Sequence, residues 1–130
     1  MTEAEEATVD GLWESTTLGH ACEAETSLYM ACSPGTTRLE LAAEEPVEPQ
    51  GRFQHLVGQG IHNGLWWYAD FPENVVGAPR LASEEKGQVC LDIYVQALAR
   101  QIKTVKNDTE APRLQEEYLQ KVRDKGAKRN

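Results

Sequence analysis

The chain has 130 residues, enough for one domain and too few for two comfortable ones. A formal charge of −8 and an isoelectric point near 4.9 argue against a nucleic-acid partner, because an acidic surface repels phosphate. Leu, Ile, Val and Phe make up only a fifth of it, near the composition at which charged chains stay unfolded, and no apolar run approaches the roughly 18 residues of a membrane span.

The N-terminus, "MTEAEEATVD", is acidic and lacks the basic-then-apolar pattern of an export signal. Residues 1–10 therefore read as a flexible, unfolded lead-in to a cytoplasmic protein. Three cysteines without paired zinc spacing read as free thiols in a reducing compartment. A helix is expected from His20 or Ala21, since Ala21, Ala24, Leu28 and Ala31 recur at helical spacing, and Ser33-Pro34-Gly35 ends it. From Thr36 to Gln50 a short apolar stretch at Leu39 and Leu41 gives way to a loop rich in Pro and Glu.

Residues 51–80 hold two of the three tryptophans and two of the three histidines. Glycines at 58, 60, 64 and 77 suit turns there, and a short strand over Leu65–Tyr68 is the one regular element expected. Ser83 then reads as the N-cap of the longest helix, with Glu84 and Glu85 in a first turn whose dipole favours anions. It runs to about Lys106 and carries a stripe of Cys90, Ile93, Tyr94, Ala97, Leu98, Ile102 and Val105, the strongest burial signal in the chain. After "NDTEAP" a second helix is expected from Pro112 to Lys125, with Leu114, Tyr118, Leu119 and Val122 on one side and a frayed basic end.

The densest chemistry lies in "LGHACEAETSLYM", where His20, Cys22, Glu23 and Glu25 fall within six residues. A catalytic zinc usually takes three protein ligands plus water. On a helix starting at His20, Glu23 lies one turn on, while Cys22 and Glu25 share a different face. No face presents three ligands, so a metal would need His55 or His62 from the glycine-rich segment. The alternative is proton handling. A helix N-terminus keeps an imidazole neutral and basic, and a nearby carboxylate fixes its tautomer. An exposed His–Glu capping arrangement is the plainer account of the same residues.

"GHACEAETSLYM" resembles the H-A-(G or C)-x-x-E-T-S-(L or M) signature of the creatininase-like amidohydrolase family. "GLWWYADFPENVVGAPRLASEEKG" is similar to a later segment of that family, and "VKNDTEAPRLQEEY" to the tail of a subgroup. The matches run in order from His20 to about Tyr118. The resemblance implies an α/β fold: a layered α/β/α hydrolase with a mostly parallel sheet, assembling as a symmetric oligomer. It implies two divalent metal ions, zinc, manganese or iron, that activate water against the C–N bond of a small amide or lactam. His20 matches the histidine of substrate contact and proton transfer, and Glu25 the glutamate supporting it; these are the catalytic candidates. Trp66 and Trp67 match no ligand and read as packing residues.

The family's metal ligands belong to an early Glu-x-His followed by an aspartate, and to an Asn-Gly-His. This chain has no Glu-x-His, only Asp10 precedes His20, and His62-Asn63-Gly64 reverses the order and lies downstream. Ala78 stands where the family often has aspartate. The expectation is therefore the C-terminal half of a creatininase-like domain over residues 11–110, incomplete and helix-rich, followed by a helix and basic tail over 111–130. Such a chain would hold no metal by itself, lack activity alone and leave Trp66 and Trp67 partly exposed. It would gain order from a second copy or a separate N-terminal half. A non-catalytic interaction or structural module, and an ordinary acidic helical domain, are the alternatives.

Overall fold

The computed structural model describes residues 1–127, which form two compact units, Met1–Val95 and the residues from Gln96 onward. The first unit opens with helix α1, Glu3–Asp10, where the sequence reading expected an unfolded lead-in. The reason is local. Thr2 Oγ1 accepts the Glu5 N–H at 3.3 Å while Glu5 Oε2 accepts the Thr2 N–H at 2.9 Å, a reciprocal capping box. Glu3, Glu5 and Glu6 add negative charge at the helix end that favours it, and buried Val9 anchors the last turn.

Helix α2 spans Glu23–Cys32 and starts two or three residues later than the His20 or Ala21 that the periodicity suggests. Ala21 has φ +54, in the left-handed region, so it cannot belong to the helix. Short 3₁₀ turns follow at Leu39–Leu41 and, later, Pro79–Leu81. Arg80 ties them together, donating from Nε to the Ala42 carbonyl at 2.9 Å and from Nη2 to that of Glu40 at 3.1 Å. Helix α3 is the single turn Gln54–Val57.

Helix α4, Trp66–Asp70, replaces the strand expected over Leu65–Tyr68. Asn63 Oδ1 accepts the Leu65 N–H at 2.8 Å, an Asx turn that starts the chain coiling, and Ala69 N–H then reaches Leu65 O at 2.9 Å. No strand is assigned among the described residues. The extended backbone there amounts to one isolated antiparallel bridge, Val47 with Gly77, made by two 2.8 Å hydrogen bonds. The described chain is helix-rich, as expected, but the parallel sheet of a layered α/β/α domain is not among these residues.

Helix α5, Glu84–Asn107, begins where Ser83 Oγ accepts the Lys86 N–H at 3.2 Å, as the sequence predicts. It crosses α2 closely at Gly87. A Cβ built there would lie 1.9 Å from Ser27 O and 2.4 Å from Ser27 C, so only glycine permits the approach. At that crossing buried Ser27 donates to Glu23 O at 2.7 Å and accepts the Ser83 N–H at 3.1 Å.

The core of this unit is small and partly polar. Among its buried residues are Val9, Cys22, Ala69, Phe71, Val76, Ala78, Ala82 and Cys90, together with Glu23 and Ser27. Glu23 is 0% exposed. Its carboxylate accepts the backbone N–H of Ser15 at 2.7 Å and of Glu14 at 3.0 Å, and pairs with Lys86 Nζ at 2.5 Å. Lys86 also reaches Glu14 Oε1 at 2.7 Å and the Leu81 carbonyl at 3.0 Å. Every Lys86 proton and both Glu23 oxygens are therefore matched, the condition for a charge to sit inside a protein. Burial pushes the Glu23 carboxyl up, but the Lys86 hydrogen bond and the Ser15 and Glu14 amides outweigh it and hold the group below its ordinary value.

The second unit consists of the remainder of α5 and helix α6, Glu110–Ala127. Asp108 caps α6, its two oxygens accepting the Glu110 and Ala111 N–H groups at 3.1 and 3.0 Å. Glu110, Arg113, Glu117 and Lys121 form an ion-pair ladder along its exposed surface, the kind that adds a few tenths of a kcal/mol per pair, about 0.2–0.5. The stripe read as the strongest burial signal splits in two. Cys90 and Ala97 are buried, whereas Leu98, Ile102 and Val105 are exposed, as are Leu114, Tyr118, Leu119 and Val122 on α6. No helix among the described residues is long and apolar enough to cross a membrane.

Candidate functional site

His20 and Glu25, five residues apart, meet in space. His20 Nδ1 lies 3.5 Å from Glu25 Oε2, with the two side chains 51% and 58% exposed. A helix begun at His20 would have pointed them apart. They meet because His20 precedes α2 and the chain doubles back at Ala21, so the third residue of the helix faces the residue before the turn.

The turn is clamped at each of its polar ends. Ala21 N–H donates to Glu25 Oε2 at 2.8 Å, and Thr26 Oγ1 donates to the Ala21 carbonyl at 3.2 Å. The His20 carbonyl accepts the Val76 N–H at 2.9 Å. The E-T pair of the motif thus holds the turn that presents the histidine. A left-handed alanine costs about 1–2 kcal/mol and persists only where the surroundings over-determine it, an arrangement that clusters at functional sites.

Trp67 stands edge-on to the His20 ring at 6.2 Å and is itself fixed by its indole N–H donating to Asn74 Oδ1 at 2.6 Å. Trp67 also packs on Phe71 at 4.9 Å and on Trp66 at 5.4 Å, so it is a packing residue that also walls the imidazole. Trp66 is 52% exposed and Trp67 half-buried. His20, Ala21, Glu25, Thr26, Tyr29 and Thr37 line a cleft of about 360 Å³. Within that lining Thr37 Oγ1 is buried without a hydrogen-bond partner among the described residues. Such an orphan costs about 1–3 kcal/mol until a polar group meets it.

The other sequence candidates fall elsewhere. Cys22 is buried and Glu23 is committed to Lys86, Ser15 and Glu14. His55 stacks edge-on to Phe53, and His62 lines a separate cleft. The three thiols are free; Cys90 is fully buried, which pushes its thiol up and makes it a poor nucleophile, a hydrogen bond from Tyr94 opposing this only in part. No group of three or more His, Cys, Asp or Glu side chains that could hold a metal occurs among the described residues.

Sequence reasoning missed three features: the Glu23–Lys86 pair, the unpartnered Thr37 and the contact of Trp67 with His20. A signal for the first existed in Ser83-Glu84-Glu85-Lys86-Gly87. A capped helix start places Lys86 and Gly87 in the first turn, where they face whatever the helix crosses. The other two depend on residues 17 and 47 positions from His20, and no local pattern marks them.

A family model described as "Creatininase: Creatinine amidohydrolase" matches residues 1–102. No curated protein and no solved structure matches the chain.

Proposed function

The chain belongs to the creatininase family, and from that premise we propose that it supplies the proton-handling side of an amidohydrolase site acting on the C–N bond of a small amide or lactam. The observation that carries this reading is the clamped His20–Glu25 pair at the mouth of the Thr37-lined cleft. With Nδ1 turned to a carboxylate, the neutral ring holds its proton there and leaves Nε2 free. Nε2 then takes a proton from an attacking water and returns it to the departing nitrogen. Glu25 acts by fixing the tautomer and stabilising the imidazolium that forms, and Thr37 offers a polar group to the substrate.

The divalent metals that the family resemblance implies do not fit the donors present. Glu25 Oε2 is engaged by the Ala21 N–H, Glu23 is ion-paired, and no group of three or more metal-ligating side chains gathers at His20 among the described residues. On our reading the metal donors belong to groups beyond the described residues, and the chain works in a layered α/β/α domain completed by a second copy or a complementary chain. Three free thiols fit a cytoplasmic setting. A second reading, a non-catalytic interaction module, is favoured by the exposed Leu98, Ile102, Val105 and Tyr118.

Titrating the chain with creatinine and with 2-pyrrolidinone, while following the His20 imidazole by NMR, tests the proposal. Shifts of the His20 resonances that vanish in Glu25→Gln and Thr37→Val are the expected result. Shifts confined to His55 or His62, or lactam binding unchanged in His20→Ala, would refute it.

A further inference from the structure

A second cleft, of about 570 Å³, lies in the first unit, well within the range of small-molecule sites. It is lined by Gln54 and Val57 of α3 with the preceding Phe53, by Trp66 and Asp70 of α4, and by His62 from the segment joining the two helices. None of these residues takes part in the His20 cleft. Trp66 is 52% exposed although it follows Leu65 into a helix whose next residue, Trp67, is fixed by Asn74. The Trp66 indole, packed edge-on against that fixed neighbour at 5.4 Å, leaves about half of its surface open to a ligand.

The charge of the cleft comes from Asp70. One carboxylate oxygen, Oδ1, accepts the Gly51 N–H at 2.8 Å; the other has no protein partner among the described residues. Arg52, next to Gly51 in the chain, is committed to other partners. Its Nε and Nη2 donate to the Ala69 and Tyr68 carbonyls at the end of α4, and its guanidinium lies over the Tyr68 ring at 5.3 Å. Asp70 thus lines a cavity with aromatic walls and keeps one carboxylate oxygen free of protein hydrogen bonds among the described residues, on a chain whose net charge is −8.

We propose that this cleft binds a small organic ammonium ion, a tertiary or quaternary amine, between the Trp66 and Phe53 rings and the free oxygen of Asp70. Aromatic faces attract a desolvated cation through their quadrupole, and an alkylated ammonium offers the apolar surface that Val57 and Phe53 require. A guanidinium fits less well, because it lacks the apolar surface that an alkylated ammonium offers to Val57 and Phe53. The net negative charge of the chain raises the local concentration of any cation.

The site is independent of the hydrolytic reading, so either can fail alone. Isothermal titration with choline, against its uncharged isostere 3,3-dimethylbutan-1-ol, tests it on the full chain. Choline should bind about tenfold or more tightly than the alcohol. Asp70→Asn keeps Oδ1 for Gly51 and should abolish that preference, and Trp66→Leu, at an exposed position, should weaken choline about tenfold. His20→Ala should leave both unchanged. Equal binding of choline and the alcohol would overturn the proposal. So would a preference that survives Asp70→Asn and Trp66→Leu, or one that disappears in His20→Ala.

Discussion

Gly87→Ala sets two well-calibrated effects against each other. In an open helix the change stabilises, by about 1 kcal/mol, since alanine is the better helix former. At this crossing the new methyl would sit 1.9 Å from Ser27 O and 2.4 Å from Ser27 C, where ordinary contact begins at 3.4 Å. Both are backbone atoms of α2, so no side chain can swing aside. Relief requires α2 and α5 to part by about 1.5 Å, the difference of those distances. Parting them stretches the Ser83–Ser27 bond at 3.1 Å and the Lys86–Glu23 pair at 2.5 Å, which join the same two segments. Overpacking costs about 1–3 kcal/mol, and each weakened hydrogen bond about 1 more. The net expectation is a loss of about 2–4 kcal/mol in urea unfolding, followed by far-ultraviolet circular dichroism. Gly126→Ala on α6, where a Cβ meets nothing within 4 Å, is the matched control and should gain up to about 1 kcal/mol. A gain of similar size at Gly87 would show that the helices do not meet there, and the reasoning would fall.

Lys86→Met removes the partner of a fully buried carboxylate and should cost about 3 kcal/mol in the same assay, the low end for a broken buried pair because two amides still hold Glu23; a cost under 1 kcal/mol would mean that the pair is solvated. Glu23 is held below its ordinary value of 4.5, so its contribution is complete above that pH and is lost as pH falls through and below it; Glu23→Gln should flatten the acid limb of a stability–pH curve, and an unchanged limb would contradict this. Ala21→Gly relieves a left-handed alanine worth about 1–2 kcal/mol against about 0.5–1 kcal/mol of extra chain entropy, so a gain of about 0.5–1 kcal/mol is expected, and a loss above 1 kcal/mol would show that the methyl packs. Ile102→Lys, on the exposed part of the stripe, should leave the unfolding midpoint of dilute protein within about 0.5 kcal/mol, and a loss beyond 1.5 kcal/mol would show that the stripe is covered within one chain.

What the sequence made legible was whatever depends on neighbours in the chain. Ser83 and the run to Lys106 gave α5 to within a residue at each end, because cap, dipole and periodicity agree there. The same logic, applied to Thr2 and Glu5, would have found α1, but the acidic composition of residues 1–10 hid a capping box. At Leu65–Tyr68 aromatic residues suggested a strand, and the Asx turn at Asn63 overrode that propensity. Periodicity around Ala21 overstated α2 because a positive φ leaves no mark on residue spacing. Burial was the least legible property. The stripe on α5 reads as continuous, yet Cys90 is fully buried and Val105 is 74% exposed. Which part of an amphipathic helix is covered depends on where the other elements end, and that is not written in the helix itself. At the site, His20 and Glu25 were found through their motif, whereas Thr37 and Trp67 enter only through the fold.

The motif itself can be understood as mechanics before chemistry. On the proposed reading His20 meets a substrate from beyond the fold, and α2 cannot present it there, since a helical continuation would carry it away from Glu25. The left-handed turn at Ala21 solves this at a cost of about 1–2 kcal/mol. Three hydrogen bonds, to Glu25, from Thr26 and from Val76, act on the two peptide units around that turn, and at about 1 kcal/mol each they offset the strain. Glu25 therefore has two tasks. One oxygen braces the backbone and also faces the imidazole, so removing the carboxylate disturbs the position of His20 and, on the proposed reading, its tautomer as well. Substituting Thr26 disturbs only the position. The two residues of the E-T pair are thus separable by experiment, and the difference between them isolates what the carboxylate does for the histidine beyond holding it in place.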